Sequence, residues 1–253
     1  MQPALHARQT PGAQVVELTP GRWRMQIPAG TGGSYRWAQL DDYLHLRRKD
    51  FPWRAPLRLE LRARVSAPDL PGTWGFGLWN DPFSASLGVG GTARRLPALP
   101  NAAWFFYAGR PNYLAFQDTH PAQGFLAAAF AAPPLPVLLM APGALAAPLA
   151  LFAPTARLLR RAARLLIHED AALVTSDPTV WHTYRLEWEE RQAAFAVDGE
   201  MILRTHVAPR GPLGLVLWID NQYAAFPPDG RIRTGTSPNP EAAWLEVEAV
   251  AVL

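Results

Sequence analysis

Two aspartates in this sequence are placed where they could do acid–base chemistry. Asp81 and Asp220 each lie two residues after a tryptophan, at the end of an apolar run that is typical of a β-strand. Two carboxyl groups can divide into an acid and a base when one is buried beside aromatic rings and the other stays hydrated. We therefore predict that Asp81 and Asp220 are catalytic if the two strand ends meet at one rim. The alternative is that each caps its own turn.

The residues around these two strand ends are also suited to binding a ligand without reacting with it. Indole and phenol rings pack on the apolar faces of a ligand, and amide groups hydrogen-bond to its polar edges. The alternative for each ring is that it fills the core, and for each amide that it caps a turn. The candidate ligand-binding residues are Trp74, Trp79, Asn80, Trp104, Tyr107, Tyr113, Trp218, Asn221, Gln222 and Tyr223.

The composition excludes several other chemistries. The sequence has no cysteine, which removes disulfides, thiolate catalysis and cysteine-ligated metals. Its six histidines are scattered without the close pair that a metal site needs, so we predict no metal and no cofactor. The net charge is +3 and the pI is about 9.6, yet the arginines follow no stripe of basic and aromatic residues. We therefore predict no nucleic-acid partner.

A long uncharged segment distinguishes this chain from most soluble domains. Residues 121–156 contain no Asp, Glu, Lys or Arg. Six prolines between Pro133 and Pro154 interrupt the segment, and because a proline removes a helical hydrogen bond, a membrane-spanning helix is not expected. Residues 155–168 then predict an amphipathic helix, with Thr155 as its N-cap, arginines on one side and leucines on the other.

The uncharged segment and the helix have three interpretations that the sequence leaves open. They could dock on a membrane, with the apolar side chains at the acyl boundary and the arginines on anionic headgroups. They could form a lid over an apolar ligand, or pack against the rest of the chain or a second subunit, which would make the protein a homo-oligomer. The residues concerned are Phe125, Phe130, Leu138, Leu139, Arg157, Arg160, Arg161 and Arg164.

Alternating apolar residues predict an all-β fold. From Leu57 to Val65 apolar residues alternate with charged ones, which indicates a half-buried antiparallel strand. The pair Asp198-Gly199 separates two further alternating runs and favours a type I′ hairpin turn. Another strand is expected near residues 113–116. The pattern predicts one two-sheet antiparallel sandwich over residues 1–253, with an apolar and helical insertion at about 121–170.

Several segments carry a resemblance to a known family. Residues 181–188, Trp-His-Thr-Tyr-Arg-Leu-Glu-Trp, are followed at 195–199 by Phe-Ala-Val-Asp-Gly. Upstream, residues 59–64 form a charged strand, and residues 72–79, Gly-Thr-Trp-Gly-Phe-Gly-Leu-Trp, form a tryptophan-containing one. These motifs resemble the concanavalin A-like lectin/glucanase superfamily and are most similar to family 16 glycoside hydrolases. The resemblance implies a jelly-roll sandwich.

The same resemblance bears on activity through one strand. In family 16 hydrolases a Glu, an Asp and a second Glu alternate along one strand and supply the nucleophile, helper and acid/base of a retaining mechanism. The strand in the corresponding place here is expected at residues 101–107, Asn-Ala-Ala-Trp-Phe-Phe-Tyr, which contain no carboxylate. The resemblance therefore implies the fold of a sugar-cleaving scaffold without its standard chemistry.

Two functions of different class follow from these observations. The first is a non-hydrolytic binding protein whose aromatic groove holds a glycan-bearing, amphipathic or apolar small molecule. The second is a diverged enzyme, either glycoside hydrolase-like or acting on a hydrophobic substrate, with Asp81 and Asp220 as acid and base. Residues 1–19 lack the continuous apolar core of a secretory signal peptide. We therefore expect a cytoplasmic protein, which in the membrane interpretation binds a bilayer peripherally.

Overall fold

Two large β-sheets make up most of the structure, a computed structural model that describes residues 3–82, 95, 98–134 and 152–253. The described residues form two seven-stranded sheets, a small two-stranded sheet and one α-helix. Every strand pair in the two large sheets is antiparallel. The architecture is an antiparallel β-sandwich, as the alternating sequence pattern predicts.

The first sheet carries the surface on which the candidate site lies. Because neighbouring strands run in opposite directions, the C-terminal end of each strand lies beside the start of the next. The hydrogen-bonded order from one edge to the other is β1 (His6–Gln9), β4 (Trp37–Asp41), β13 (Gly214–Asp220), β6 (Thr73–Trp79), β7 (Ala102–Ala108), β8 (Gly124–Ala131) and β9 (His168–Leu173).

The second sheet forms the other layer of the sandwich. Its order is β12 (Glu200–Thr205), β11 (Ala193–Val197), β10 (His182–Trp188), β5 (Leu57–Val65), β16 (Ala243–Val252), β3 (Arg22–Ile27) and β2 (Gln14–Thr19). The small sheet pairs β14 (Gln222–Ala225) with β15 (Arg233–Thr236), and the helix α1 (Ala153–Leu166) precedes β9 in the chain.

The hydrophobic core lies between the two sheets. Leu59 and Leu61 of β5 point into it and are at most 3% exposed, while the charged residues between them point outward. Phe76 of β6 and Phe105 of β7 meet them from the first sheet. We call the side of the first sheet that faces this core its inner face, and the opposite side its outer face.

The outer face of the first sheet is also largely buried. Every residue of β7 is buried, with Phe105 on the inner face and Trp104 and Phe106 on the outer face. A strand that is covered on both sides has a continuous apolar sequence rather than an alternating one. The outer face therefore carries aromatic side chains, whereas a sheet face in contact with water would carry mostly polar ones.

The predicted hairpin at Asp198-Gly199 is confirmed. These two residues connect β11 to β12, and their φ angles are +50° and +87°. A type I′ turn needs positive φ at both central positions, which aspartate tolerates and glycine adopts freely.

Three predicted boundaries are corrected by the structure. Strand β8 lies inside the range 121–170 and β9 begins there, so part of the range predicted for an insertion belongs to the first sheet. Residues 113–116 form no strand, and Tyr113 makes one isolated bridge to Ala225. The helix begins after Phe152 rather than at Thr155, because Pro154 is already fixed in the conformation of a first helical turn.

The structure does not sort α1 into a buried leucine side and an exposed arginine side. Arg160 is buried and Arg164 partly buried, whereas Leu158 and Leu165 are exposed. Arg160 and Arg164 point inward because their guanidinium groups donate to backbone carbonyl oxygens and, from Arg160, to Asp118. Among the described helices, none has the length and apolar character needed to cross a membrane.

Candidate ligand-binding site

Four aromatic rings lie together on the outer face of the first sheet. Trp79 comes from β6, Trp104 and Phe106 from β7, and Trp218 from β13, which are adjacent strands. The ring centroid of Trp218 lies 5.6 Å from Trp104, 5.7 Å from Phe106 and 6.3 Å from Trp79. Trp79 and Trp218 are nearly parallel, at 6°, and both are partly exposed, so a ligand can reach them. We call these four rings the aromatic cluster.

Two glycines of β6 make room for the aromatic cluster. A Cβ atom on Gly75 would lie 2.9 Å from the Trp218 ring and 2.4 Å from the Phe105 carbonyl oxygen. A Cβ atom on Gly77 would lie 2.6 Å from the Cβ atom of Trp104. Only glycine lets the indoles of β7 and β13 cross the strand between them. The glycine spacing that the sequence shows in this strand therefore has a packing reason.

The two reachable indoles are held in fixed orientations. The Trp79 Nε1–H donates to Tyr43 Oη at 2.7 Å, and the Trp218 Nε1–H donates to Thr73 Oγ1 at 2.9 Å. Tyr43 is fully buried, and Gln39 Nε2 donates to its hydroxyl oxygen at 3.4 Å. Because these contacts exist before any ligand arrives, binding does not have to order the rings.

Trp104 offers a hydrogen-bond donor that the described residues leave unused. Its side chain is 9% exposed, and its Nε1 atom is buried without a partner in that part of the chain. Buried N–H groups nearly always have a partner, since a lone donor costs about 1–3 kcal/mol. The Trp104 Nε1–H is therefore an unsatisfied donor beneath the surface of the aromatic cluster.

Asp220 lies at one end of β13 and supports a ring of the cluster. Its Oδ1 atom accepts hydrogen bonds from Thr73 N at 3.1 Å, from Thr73 Oγ1 at 2.9 Å and from Gln222 N at 3.1 Å. Burial raises the pKa of Asp220 to about 7, although these hydrogen bonds favour the ionised form. The Thr73 hydroxyl oxygen also accepts a hydrogen bond from the Trp218 indole. Asp220 therefore fixes the threonine that holds this ring of the aromatic cluster in place.

Asp81 lies at the opposite end of the outer face. In the antiparallel pair β6–β13, Thr73 is opposite Asp220 and Trp79 is opposite Gly214. At a rise of about 3.3 Å per residue, these two ends are about 20 Å apart, whereas glycosidase carboxyl pairs are about 5–10 Å apart. The prediction that Asp81 and Asp220 form an acid–base pair is therefore wrong.

The surroundings of Asp81 account for its burial. Its Oδ2 atom accepts from Arg95 Nη1 at 2.7 Å, and Arg48 Nη2 donates to its backbone carbonyl oxygen at 2.8 Å. Burial raises the pKa of Asp81, while the charge of Arg95 acts against that rise. Arg95 also lies over the Tyr43 ring at 5.3 Å, so Asp81 belongs to the network that fixes the phenol under Trp79.

Four of the predicted ligand-binding residues do not face the cluster. Trp74 and Tyr107 lie on the inner face, stacked at 5.5 Å, and belong to the core. The amide of Asn80 bonds two backbone groups next to β7, and the amide of Asn221 bonds three. These are corrections: strand alternation turns the two rings inward, and the two amides already have backbone partners.

Three other predicted residues lie near the Asp220 end of the outer face. Tyr113, Gln222 and Tyr223 are partly exposed, with Gln222 and Tyr223 on β14. The guanidinium carbon of Arg160 lies 5.5 Å from the centroid of the Tyr113 ring. A ligand-binding role for these three residues stays a prediction.

The residues predicted for a lid or membrane element are distributed over different environments. Phe125 is in the core, 6% exposed, because it lies on the inner face of β8. Phe130 lies on the outer face of β8 and packs edge-on against Trp104 at 5.9 Å. Leu138 and Leu139 lie outside the described residues.

The sequence analysis missed the residues that hold the indoles in place. Gln39, Tyr43 and Thr73 were not among the predicted site residues, and neither was Phe106. One signal was available, because residues 37, 39 and 41 of β4 alternate with apolar ones and must share a face. Phe106 likewise shares the parity of Trp104 in β7.

The other buried carboxylates of the outer face are already bonded. Arg8 Nε and Gln39 Nε2 donate to Asp41 Oδ2 at 2.8 and 2.9 Å. Glu169 accepts from backbone N–H groups of the 116–117 turn. Within the described ranges, no three His, Cys, Asp or Glu residues are grouped so that they could hold a metal ion. The carboxylates of the outer face therefore hold neighbouring groups in place, and the aromatic rings are the groups left to contact a ligand.

Several solved structures resemble this chain in overall arrangement. A glycoside hydrolase family protein from Mycobacterium thermorestibile has a TM-score of 0.46 and 14% identity, over 92% of this chain and 76% of that one. LamAcat from Zobellia galactanivorans has 0.49 and 12%, over 92% and 78%. A legume lectin-like domain from Entamoeba histolytica has 0.49 and 8%, over 98% and 89%.

These similarities are similarities of structure at low sequence identity. No family model and no curated protein sequence matches this chain. With TM-scores below 0.5, the three structures say nothing about what this chain binds or catalyses. By its two stacked antiparallel sheets, the chain is an antiparallel β-sandwich.

Proposed function

We propose that this protein binds a glycan at the aromatic cluster and does not cleave it. The observation that carries the proposal is the pair of partly exposed, nearly parallel indoles of Trp79 and Trp218. Both rings have their N–H groups tied to the protein, so their faces are presented in a set geometry. Preorganised aromatic anchors of this kind dominate the binding free energy of small sites.

A sugar fits the chemistry of this surface better than a wholly apolar molecule does. One face of a pyranose ring carries C–H groups that pack on an indole, and its edge carries hydroxyl groups that need partners. The cluster supplies the first through its rings, and the partly exposed polar side chains of Gln222 and Tyr223, near the Asp220 end of the outer face, would supply the second. An alkyl chain would use the rings alone and leave these polar groups without a ligand partner.

The absence of cleavage in this proposal rests on carboxyl positions. The β7 residues on the outer face are Ala102, Trp104, Phe106 and Ala108, none of them acidic. Asp220 lies opposite Trp37, and Asp41 lies four residues further along β4, so these two acids are about 13 Å apart. A retaining or inverting pair requires about 5–10 Å.

Replacing Trp218 with alanine is expected to weaken glycan binding by about 2 kcal/mol, a Kd about 30-fold higher, because half of the reachable ring surface is lost. Trp79→Ala should behave in the same way. Isothermal titration calorimetry against soluble β-1,3-glucan, β-1,4-glucan, xylan and galactan oligosaccharides would identify the sugar and measure the loss.

Trp244→Ala is the matched control for both variants. Trp244 lies in the second sheet, and its ring is covered by the guanidinium groups of Arg24 and Arg64 at 5.0 and 5.5 Å. It should bind as the wild type does, provided that circular dichroism shows all three variants folded. Two results would contradict the proposal: equal binding by the wild type and both cluster variants, or release of new reducing ends from the bound oligosaccharide.

A further inference from the structure

The helix α1 presents apolar side chains to solvent in a way that ordinary packing does not explain. Leu158 is 64% exposed and Leu165 is 80% exposed, seven residues apart on one side of the helix. Phe152, which precedes the helix, is 65% exposed, and Leu166 is 39% exposed. We call Leu158, Leu165 and Leu166, which lie on one side of the helix, the leucine face. Single exposed leucines are common, but a contiguous set on one element marks an interaction surface.

The opposite side of α1 is anchored, so the leucine face is held outward. Arg160 Nη1 donates to the carbonyl oxygens of Ala115 at 2.8 Å and Phe226 at 2.6 Å. Arg160 Nη2 also donates to Asp118 Oδ1, at 2.9 Å. Arg164 Nε donates to the Phe116 carbonyl oxygen at 2.6 Å. Rotating the helix to bury its leucines would break these charge-assisted hydrogen bonds, which are about twice as strong as neutral ones.

The charges beside the leucine face indicate what it contacts. Arg157 and Arg161 are exposed, and neither forms an ion pair or hydrogen bond with the part of the chain that the structure describes. The helix contains no Asp or Glu. Two copies paired through this face would bring arginines against arginines, which disfavours self-association. An anionic surface would instead pair with them.

We propose that the leucine face docks on an anionic lipid bilayer, with α1 lying in the plane of the interface. Leucines at the acyl boundary with arginines beside them are the arrangement by which amphipathic helices bind such surfaces. The proposal differs from the sequence-based expectation, in which all four arginines faced the headgroups.

Vesicle flotation tests this proposal on the whole chain. The wild type should float with phosphatidylcholine vesicles that contain 30% phosphatidylglycerol. With vesicles of pure phosphatidylcholine it should stay unbound at the bottom of the gradient. Leu158→Gln with Leu165→Gln should lower the partition coefficient on the order of 100-fold, because two leucine side chains no longer enter the apolar region. Arg157→Gln with Arg161→Gln should lower it about 30-fold and remove its dependence on salt.

Val16→Gln with Leu18→Gln is the matched control. These residues are 42% and 39% exposed on β2, at the edge of the second sheet, so the variant removes exposed apolar surface elsewhere, although less of it than the double leucine variant does. It should float as the wild type does. Gel filtration with light scattering and circular dichroism on each variant separate loss of binding from dimer dissociation and from unfolding.

The possible outcomes divide cleanly. Flotation only with anionic vesicles, lost in both helix variants and kept in the control, supports the proposal. No flotation of the wild type overturns it, and so does flotation that is equal with neutral vesicles. A dimer that the double leucine variant makes monomeric, without flotation, assigns the face to a second copy and overturns it too. Glycan titration on the same leucine variant should remain unchanged, because the aromatic cluster is separate.

Discussion

Replacing Glu246 with glutamine is expected to lower the free energy of unfolding by about 3 kcal/mol, a fall in Tm of roughly 6–12 °C. The Glu246 carboxylate is fully buried and receives hydrogen bonds from Arg22, Arg24 and Arg64, with distances to its oxygens of 2.5–3.1 Å. Removing its charge leaves three guanidinium groups facing one another around a neutral amide. Thermal unfolding followed by circular dichroism measures the change.

The expected loss of about 3 kcal/mol reflects the different exposure of the ion-pair partners. Glu246 is fully buried, whereas its three arginines are partly exposed. The three arginine side chains are about one-third exposed, so water screens part of their mutual repulsion and the low end of the range for broken buried pairs applies. Burial alone would raise the pKa of Glu246, but the three arginine hydrogen bonds together lower it. The carboxylate therefore stabilises the fold above its unfolded pKa, and that stability is lost as the pH falls through the folded pKa.

Glu248→Gln is the control for Glu246→Gln. Glu248 lies two residues along β16, on the same side of the sheet, and pairs with Arg62 and Arg22, but it is 24% exposed. An exposed pair contributes about 0.2–1 kcal/mol, so this variant should lose about 1 kcal/mol at most. Equal losses in the two variants would contradict the view that burial makes Glu246 special. Added salt should recover part of the loss in Glu246→Gln.

The sequence was informative about the fold because the relevant signals are local. Alternation in β5 depends only on which residues face the core, and the Asp198-Gly199 turn depends only on two φ angles. Strand parity could also have sorted the site residues. Trp74 and Trp79 are five positions apart in one strand, an odd number, so they must point to opposite faces.

The relation between Asp81 and Asp220 could not be read from the sequence. Both lie at the C-terminal ends of apolar strands, and in a parallel pair those ends would meet at one edge. Here β6 and β13 are antiparallel neighbours, which places the two acids at opposite edges. The pairing joins segments far apart in the chain, and no local pattern in either strand encodes it.

The orientation of α1, for which the sequence left three interpretations open, could not be read from its pattern for a different physical reason. A helical pattern assigns its apolar side to the protein interior because burial of leucine is favourable. That rule fails when the polar side finds better partners, as Arg160 does in two backbone carbonyl oxygens and Asp118. Carbonyl groups of loops are present in every sequence, so their availability to a guanidinium group is visible only in three dimensions.

Raising the pH from 4 to 8 is expected to destabilise the wild type through Asp220 by on the order of 4 kcal/mol. Its pKa is raised by burial to about 7 in the folded state, against 3.8 for the free side chain. Between these values the folded state retains a proton that the unfolded state releases. The stability of the fold therefore falls as the pH rises through this window, and the fall is complete only above pH 7.

Asp220→Asn should remove this dependence and gain stability relative to the wild type as the pH rises. The asparagine can keep the Oδ1 acceptor for Thr73 and Gln222 but carries no charge to bury. Urea unfolding at intervals between pH 4 and 8 measures the difference between variant and wild type at each pH.

Asp42→Asn provides the comparison that identifies the group responsible. Burial raises the pKa of Asp42 only to about 6, so the gain from this variant should level off about one pH unit earlier than the gain from Asp220→Asn. A difference between Asp220→Asn and wild type that does not change with pH would show that Asp220 is ionised in the fold throughout this range. In that case the hydrogen bonds from Thr73 and Gln222 would outweigh the desolvation of the carboxylate. Thr73, which accepts from the Trp218 indole, would then donate to a charged carboxylate rather than to a neutral acid.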